Sequence, residues 1–241
     1  LVIEKLDIGE GDRIITLFEK NRGKIKVLIK GIRKSKNREI YATDPLVLGI
    51  YKLRKKGEMY YNTSLQLKNP FLKIKSNFFK LEISIYILRL IDKIIFENIE
   101  AKKIYKLSLN ALIYIEETDD KNKILVMLSY YFYKIIVYEG LKPEIKGKSY
   151  FNLREGILED EKKQYSISLD DREYEYIQKL NKVDIAGINE LKFDNKEILK
   201  IINILESYLN QNLFLELNIL KYLGEEKRIK KKLQNLLQYN Q

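Results

Sequence analysis

The sequence has no cysteine, no histidine and no tryptophan, and it has only three prolines among 241 residues. The absence of cysteine excludes disulfides and thiolate chemistry, and the absence of histidine excludes every catalytic triad that uses an imidazole base. A zinc site built from cysteine or histidine is excluded as well. General acid–base catalysis would therefore depend on carboxylates, lysine or tyrosine. We expect no enzymatic activity, no metal and no cofactor.

The sequence also lacks a long apolar run. Its most apolar helical stretch, residues 124–138, is interrupted by Lys134 and is shorter than the roughly 18 residues that span a bilayer. The opening residues LVIEKLDIGE do not have the pattern of a secretory signal. Because 45% of the residues are hydrophobic, the chain is not globally disordered. We expect a soluble cytoplasmic protein.

Positive charge is concentrated near the N-terminus. The formal net charge is +11, and residues 1–75 contain 18 Lys or Arg and 8 Asp or Glu, whereas residues 76–241 contain 27 and 26. An AT-rich coding bias would raise the lysine content along the whole chain, so it does not explain this distribution. A local positive field attracts a polyanion or an anionic membrane surface. Membrane binding is disfavoured, because no basic amphipathic helix with exposed aromatic residues is evident.

The first 70 residues have the pattern of short β-strands separated by turns. Alternating apolar residues and turn signals predict five strands, at residues 2–8, 13–20, 24–32, 46–54 and 59–67. Gly31 and Gly49 interrupt the alternation, which is typical of a bulge or a sharp bend. Five strands in about 70 residues is the size of an OB-fold, a partly open barrel that binds oligonucleotides.

From about residue 76 the apolar period becomes helical. Long helices are predicted at residues 78–96, 101–117 and 122–140. A shorter helix is predicted to begin at Asp170, and Asp194 with Glu197 fits the capping box of another. The polar residues 210–212 are predicted to separate that helix from a last one that ends at Gly224.

These patterns predict the α+β fold class with two domains. The first domain, residues 1–75, is expected to be a five-stranded OB-fold β-barrel that binds nucleic acid. The second domain, residues 76–241, is expected to be an all-α helical domain. It contains an insert at about residues 141–168 that is predicted to be irregular and free of metal.

Two clusters of basic residues lie in the predicted barrel. On the third strand Ile25, Val27 and Ile29 share one face, so the alternating lysines lie on the other. An OB-fold binds nucleic acid through a positive groove that follows the phosphates, with aromatic faces for the bases. The predicted contacts are Lys24, Lys26, Lys30, Arg33, Lys34, Lys36 and Arg38 in the first cluster, and Lys52, Arg54, Lys55 and Lys56 in the second. The tyrosines available for stacking are Tyr41, Tyr51, Tyr60 and Tyr61, of which Tyr51 and Tyr61 could instead be buried.

Some of these basic residues have an alternative role. Arg13, Lys26 or Lys30 could instead stabilise the fold through local ion pairs. The C-terminal KRIKKK at residues 227–232 is more typical of a solvated chain end than of a binding site.

Two other patterns point to enzymes and are weaker. Gly147, Lys148 and Ser149 match the end of a phosphate-binding P-loop, but the first glycine of that motif is replaced by Lys142 and the loop contains Pro143. A two-metal nuclease would need converging carboxylates. The acidic clusters, which mostly lie at turns or helix starts where they cap backbone N–H groups, are Asp7/Glu10/Asp12, Asp119/Asp120, residues 159–161 and Asp170/Asp171.

The N-terminal segment resembles a known family. Residues 7–38, DIGEGDRIITLFEKNRGKIKVLIKGIRKSKNR, are similar to the N-terminal signature of RecO, the bacterial recombination mediator. The matching elements are Gly9, Glu10, Asp12 and Arg13, then Thr16, Leu17 and Phe18, then Gly23 and Lys24, and finally Lys30, Gly31, Arg33 and Lys34. YEGLKPEI at residues 138–145 resembles the stretch before the family's central insert. Many RecO proteins hold zinc there with four cysteines, so this chain resembles a zinc-free member.

The resemblance implies a DNA repair and homologous recombination mediator of the RecFOR pathway. Such a protein binds single- and double-stranded DNA, anneals complementary strands and helps RecR load RecA on DNA coated by the single-stranded-DNA-binding protein (SSB). The implied partners are DNA, RecR, the C-terminal tail of SSB and, indirectly, RecF and RecA, with the protein at the nucleoid when it acts on DNA. Two alternatives remain open, an RNA-binding OB-fold protein and a carboxylate- and metal-dependent nuclease.

Overall fold

Alternating apolar residues form a five-stranded sheet at the N-terminus of the chain. The computed structural model describes residues 1–35 and 40–219. The strands are β1 (Val2–Ile8), β2 (Asp12–Glu19), β3 (Gly23–Ile29), β4 (Leu48–Lys56) and β5 (Met59–Asn69). Their order in the sheet is β1-β2-β3-β5-β4, in which β3 and β5 are parallel and the other pairs antiparallel.

A single bridge brings the two ends of this sheet together. The amide of Val2 donates to the carbonyl oxygen of Val47 at 2.9 Å, just before β4 begins. Beyond this bridge the remaining lengths of β1 and β4 do not pair with each other. The result is the partly open, OB-like barrel that the sequence predicts, followed by helices in an α+β fold.

The interior of the barrel is built by every second residue of its strands. Ile15, Val27 and Ile29 are fully buried, with Val47 beside them. The lysines of β3 therefore point outward, as the alternation predicts. Gly49 lies at a register shift between β4 and β5, which confirms the bulge predicted there.

Arg13 connects the barrel to the loop between β3 and β4. Its side chain is buried, and Nη1 donates to Oγ1 of Thr43 at 2.6 Å in a short 3-10 helix, Ile40–Thr43. Its Nε donates to Oδ1 of Asp7 at 2.7 Å. Arg13 thus has the fold-stabilising role that the sequence left open for it.

Helices follow the barrel. They are α1 (Leu72–Ser76), α2 (Phe78–Ile94), α3 (Lys102–Glu117), α4 (Lys121–Tyr138), α5 (Asp171–Lys182) and α6 (Asn195–Leu213), with a 3-10 turn at Gly187–Glu190. The predicted capping box at Asp194 is confirmed, and Asp170 begins α5 through a second one. None of the helices in the described part of the chain is long and apolar enough to cross a membrane.

The chain forms two compact units, each discontinuous in sequence. The first contains Leu1–Asn77 and Ser84–Glu116, and the second contains Phe78–Ile83 with the described residues from Glu117 onward. The barrel, the second half of α2 and nearly all of α3 therefore belong to one unit. The predicted domain boundary after residue 75 stays a prediction.

Two sequence predictions need correction. Residues 141–168 are not irregular, since they contain the short strands β6 (Glu144–Ile145), β7 (Tyr150–Asn152), β8 (Ile157–Glu159) and β9 (Ser166–Ser168), in the sheet order β6-β8-β7-β9. Strands of two or three residues are too short to show an alternating pattern.

The polar residues 210–212 do not interrupt α6, which continues to Leu213. Two of the three side chains have partners that make polar residues compatible with the helix. Asn210 donates to the carbonyl oxygen of Leu217, and Asn212 donates to those of Leu153 and Tyr208, all at 2.9 Å. The helix ends where Phe214 adopts a left-handed conformation with φ of 53°. The predicted last helix ending at Gly224 lies mostly outside the described residues.

Candidate nucleic-acid interface

The two lysines at the start of β3 make ion pairs with acidic residues near the end of α2. Nζ of Lys24 lies 2.9 Å from Oδ1 of Asp92 and 2.5 Å from its carbonyl oxygen, and the Lys24 side chain is only 17% exposed. Nζ of Lys26 lies 2.8 Å from Oε1 of Glu97, and this hydrogen bond raises the pKa of Lys26. Of the predicted contacts on β3, Lys24 is therefore the least available to a phosphate.

The segment that carries Glu97 lies directly against the start of β3. The amide of Lys24 donates to the carbonyl oxygen of Phe96, and the amide of Asn98 donates to that of Lys24, both at 3.2 Å. Gly23 permits this approach, because a Cβ there would lie 2.5 Å from the carbonyl oxygens of Phe96 and Ile99. This end of the β3 outward face is therefore covered within the first unit.

The loop after β3 carries the rest of the first cluster. Nη1 of Arg33 donates to the carbonyl oxygen of Gly9 at 2.9 Å. Nζ of Lys34 lies 2.6 Å from Oε2 of Glu10, but these side chains are 63% and 87% exposed. An exposed pair of this kind contributes about 0–1 kcal/mol, so a phosphate can compete for the lysine. Lys36 and Arg38 lie outside the described residues.

The second cluster lies on β4 and its hairpin with β5. Lys52, Arg54 and Lys56 are exposed and alternate along the strand, so they lie on its outward face. None of the three side chains has an ion pair or hydrogen bond with a residue in the described ranges. We call these three residues the β4 cation row. Lys55 points to the other side, where its Nζ lies 5.8 Å from the centre of the Tyr60 ring.

The structure separates the four tyrosines that were available for stacking. Tyr51 points inward and donates to the carbonyl oxygen of Ala42 at 2.6 Å, and burial raises its pKa. Tyr60 also packs against the barrel interior. Tyr41 is exposed but lies in the 3-10 helix. Tyr61, for which burial was the alternative, is instead on the outward face of β5, directly paired with Arg54 of β4.

Two residues near these tyrosines were not among the predicted contacts. Arg22 donates from Nη1 to the Tyr60 hydroxyl at 2.7 Å. The second is Leu28, the β3 residue paired with Tyr61. Beside it, Nζ of the predicted contact Lys30 lies 5.7 Å from the centre of the Tyr61 ring. Arg22 lies in the basic segment of residues 20–38, so the sequence alone could have identified it as a candidate contact. Leu28 could be recognised only once the strand register was known.

The carboxylates that a nuclease would need have structural partners. Asp120 and Asp170 accept hydrogen bonds from the backbone N–H groups at the starts of α4 and α5. Oδ1 of Asp160 accepts the amide of Lys148 at 2.9 Å, and Nζ of Lys148 lies 3.0 Å from Oδ1 of Asp171. The segment that resembled a P-loop is therefore held by side chains of its own unit. Residues 1–35 and 40–219 contain no group of three or more acidic side chains arranged to hold a metal ion.

A partly open five-stranded barrel with a basic outward face is typical of OB-fold proteins that bind nucleic acids. Family models agree with this class and extend over both units. Residues 1–71 match the family described as recombination protein O N terminal, and residues 75–221 match recombination protein O C terminal. The chain belongs to the recombination protein O (RecO) family, a family of DNA repair and recombination proteins.

Individual relatives carry the same name. The chain is 34% identical over 119 residues to the DNA repair protein RecO of Acetivibrio thermocellus, an alignment that covers 49% of this chain and 47% of that protein. It is 30% identical over 145 residues to the protein of the same name from a Thermoanaerobacter species, covering 60% and 58%. These alignments thus span about half to three-fifths of those relatives. A 21% identical match to the Bacillus pumilus protein covers 96% of this chain and 94% of the relative.

Proposed function

We propose that this chain is a DNA repair and recombination mediator without a catalytic site. It binds single- and double-stranded DNA and anneals complementary strands. The observation that carries the proposal is the β4 cation row, whose side chains have no ion-pair partner among the described residues and lie beside an outward tyrosine. The same outward face includes Lys30, and the adjoining loop supplies Arg33 and Lys34.

The spacing of the β4 cation row suits a phosphate backbone. Alternate residues of a strand lie about 6.8 Å apart, and a stacked DNA strand advances about 3.4 Å per nucleotide. Lys52, Arg54 and Lys56 therefore match every second phosphate. Such contacts carry no sequence information, because the phosphates are the same at every step. Neutralising them also lowers the repulsion between two strands, which favours annealing.

The remaining predicted contacts differ in how available their charges are to a phosphate. Arg33 and Lys34 supply further phosphate contacts, and Lys36 and Arg38, which lie outside the described residues, stay predicted contacts. Lys26 can join them when its exposed pair with Glu97 opens. Lys24 is the weakest member, because its Nζ is held by two oxygens of Asp92.

Family membership supports the wider role. We propose that the protein acts with RecR to load RecA on SSB-coated DNA, and that the acidic C-terminal tail of SSB docks on the helical domain. RecF takes part indirectly. This part of the proposal rests on the family, whose members carry the name DNA repair protein.

Strand annealing tests the proposal. Complementary oligonucleotides would be annealed with the wild type and with Lys52→Ala/Arg54→Ala/Lys56→Ala. Lys146→Ala/Lys162→Ala/Lys196→Ala is the matched control, because it removes three exposed lysines from the second unit. We expect the first variant to anneal much more slowly and the control to resemble the wild type. Equal annealing by all three proteins would show that the β4 cation row is not the site.

Two further arms separate the alternatives. Competition between DNA and RNA oligonucleotides of the same sequence tests the RNA-binding alternative, which predicts tighter binding of RNA. Incubation of labelled DNA with the protein and Mg²⁺ or Mn²⁺ tests the alternative that the protein is a nuclease. Cleavage that disappears when an acidic cluster is mutated would contradict the absence of a catalytic site. Addition of SSB and RecR tests whether the protein supports RecA loading.

A further inference from the structure

A row of apolar side chains crosses the outward face of the barrel. The strand register pairs Leu6 with Ile14, Ile14 with Leu28, and Leu28 with Tyr61, on β1, β2, β3 and β5 in turn. We call these four residues the outward apolar row. Leu6 is 59% exposed, and the other three are partly exposed. A contiguous exposed apolar surface of this kind marks an interaction site more often than scattered single residues do.

The row is outward because its neighbours along each strand point inward. Ile15 follows Ile14, and Val27 precedes Leu28, and both of these neighbours are fully buried. Tyr60, which precedes Tyr61, packs against the barrel interior. The barrel core is thus complete without the row, so the row contributes little to its interior packing.

The row is long enough for the bases of a single strand. Its four strands are separated by three gaps of about 4.8 Å, which gives a length of about 14 Å. The row crosses the strands, whereas the β4 cation row follows one of them. A backbone that follows β4 can therefore turn its bases sideways onto the row, beginning with Tyr61.

Charge is distributed unequally at the two ends of the row. At the β5 end Tyr61 is paired with Arg54, and Nζ of Lys30 lies over its ring. At the β1 end the nearby outward carboxylates are Glu4, which accepts the Thr16 hydroxyl at 3.3 Å, and Asp12, which accepts the amide of Gly31 at 2.7 Å. An occupant with apolar faces and its negative charge toward β4 matches this arrangement.

We propose that the outward apolar row stacks unpaired bases and that Tyr61 makes this surface discriminate single-stranded from double-stranded DNA. This inference rests on the proposed function and deepens it. Phosphates of either form can contact the β4 cation row. Only an unpaired strand can turn its bases onto the Tyr61 ring and Leu28, because the bases of a duplex are already stacked and paired inside it.

The test compares Tyr61→Ala and Tyr61→Phe with the wild type. Affinity for oligothymidylate of about 12 nucleotides and for a duplex of the same length would be measured by fluorescence anisotropy at one salt concentration. Tyr61→Ala should bind the single strand about 5-fold to 150-fold more weakly and the duplex nearly as well as the wild type. Tyr61→Phe keeps the ring and should retain the single-strand affinity. Quenching of 2-aminopurine in the single strand should follow the same order.

The controls separate this inference from the proposed function. Tyr165→Ala removes an exposed tyrosine of the second unit and should change neither affinity; a loss equal to that of Tyr61→Ala would overturn the assignment to Tyr61. Equal losses on single strand and duplex would overturn base stacking while leaving DNA binding intact. Normal single-strand binding by both Leu6→Ala and Tyr61→Ala would overturn base stacking by the row. Failure of the wild type to bind either DNA would overturn the proposed function itself.

Discussion

Replacing Gly23 with alanine should separate the segment of residues 96–99 from the start of β3. Gly23 has φ of 61°, which costs an alanine about 1–2 kcal/mol. A Cβ would also lie 2.5 Å from two carbonyl oxygens, so the segment must move. That movement breaks the two 3.2 Å backbone hydrogen bonds to Lys24, each worth about 0.5–1.5 kcal/mol. The free energy of unfolding should fall by about 2–5 kcal/mol in total.

Gly31→Ala is the matched control for this prediction. Gly31 has φ of 62°, but a Cβ there would meet nothing within 4 Å, so it carries only the conformational cost. Urea denaturation of both variants, followed by circular dichroism, measures the difference. Amide hydrogen exchange at Lys24 and Asn98 should accelerate in Gly23→Ala alone. If the two variants are equally destabilised and exchange alike, the close approach at Gly23 does not hold the segment.

Three further outcomes are expected. Asp194→Ala removes the capping box of α6 and should destabilise the protein by about 1 kcal/mol in thermal or urea unfolding; an unchanged midpoint would contradict this. Glu97→Gln weakens the pair with Lys26 and should tighten single-strand binding measured by anisotropy, whereas weaker binding would contradict that role. The Arg13 hydrogen bond lowers the pKa of Asp7 below its usual 3.8. The stabilisation that this hydrogen bond gives the folded state is therefore complete above about pH 4, and it is lost as the pH falls through the lowered pKa of Asp7 in the folded protein. Asp7→Asn should unfold with less pH dependence in that acidic range than the wild type.

Local patterns predicted most of the secondary structure, because their causes are local. The alternation in β1 predicted residues 2–8, which are the bounds that the structure has. The capping box at Asp194 involves groups only three residues apart, so the sequence shows it directly. The sheet at residues 144–168 was missed because its hydrogen bonds join strands too short to have a period of their own.

The candidate site was only partly predictable, because its composition depends on contacts between distant residues. The sequence showed that Lys24 points outward, but its partner Asp92 lies 68 residues further along the chain. It also left Tyr61 rather than Tyr60 open to burial, whereas Tyr60 is the one that packs against the interior. The pairing of Val27 with Tyr60 and of Leu28 with Tyr61 decides this. A side chain's availability for binding therefore required the strand register.

The salt dependence of single-strand binding tests the central claim most directly. Each phosphate contact with a single strand contributes a slope of about −0.7 to the logarithm of the binding constant against the logarithm of salt concentration. Lys52→Ala/Arg54→Ala/Lys56→Ala should therefore have a slope shallower than that of the wild type by about 2. The control Lys146→Ala/Lys162→Ala/Lys196→Ala should keep the wild-type slope. Equal slopes for the wild type and the β4 variant would contradict the claim that this row binds the phosphate backbone.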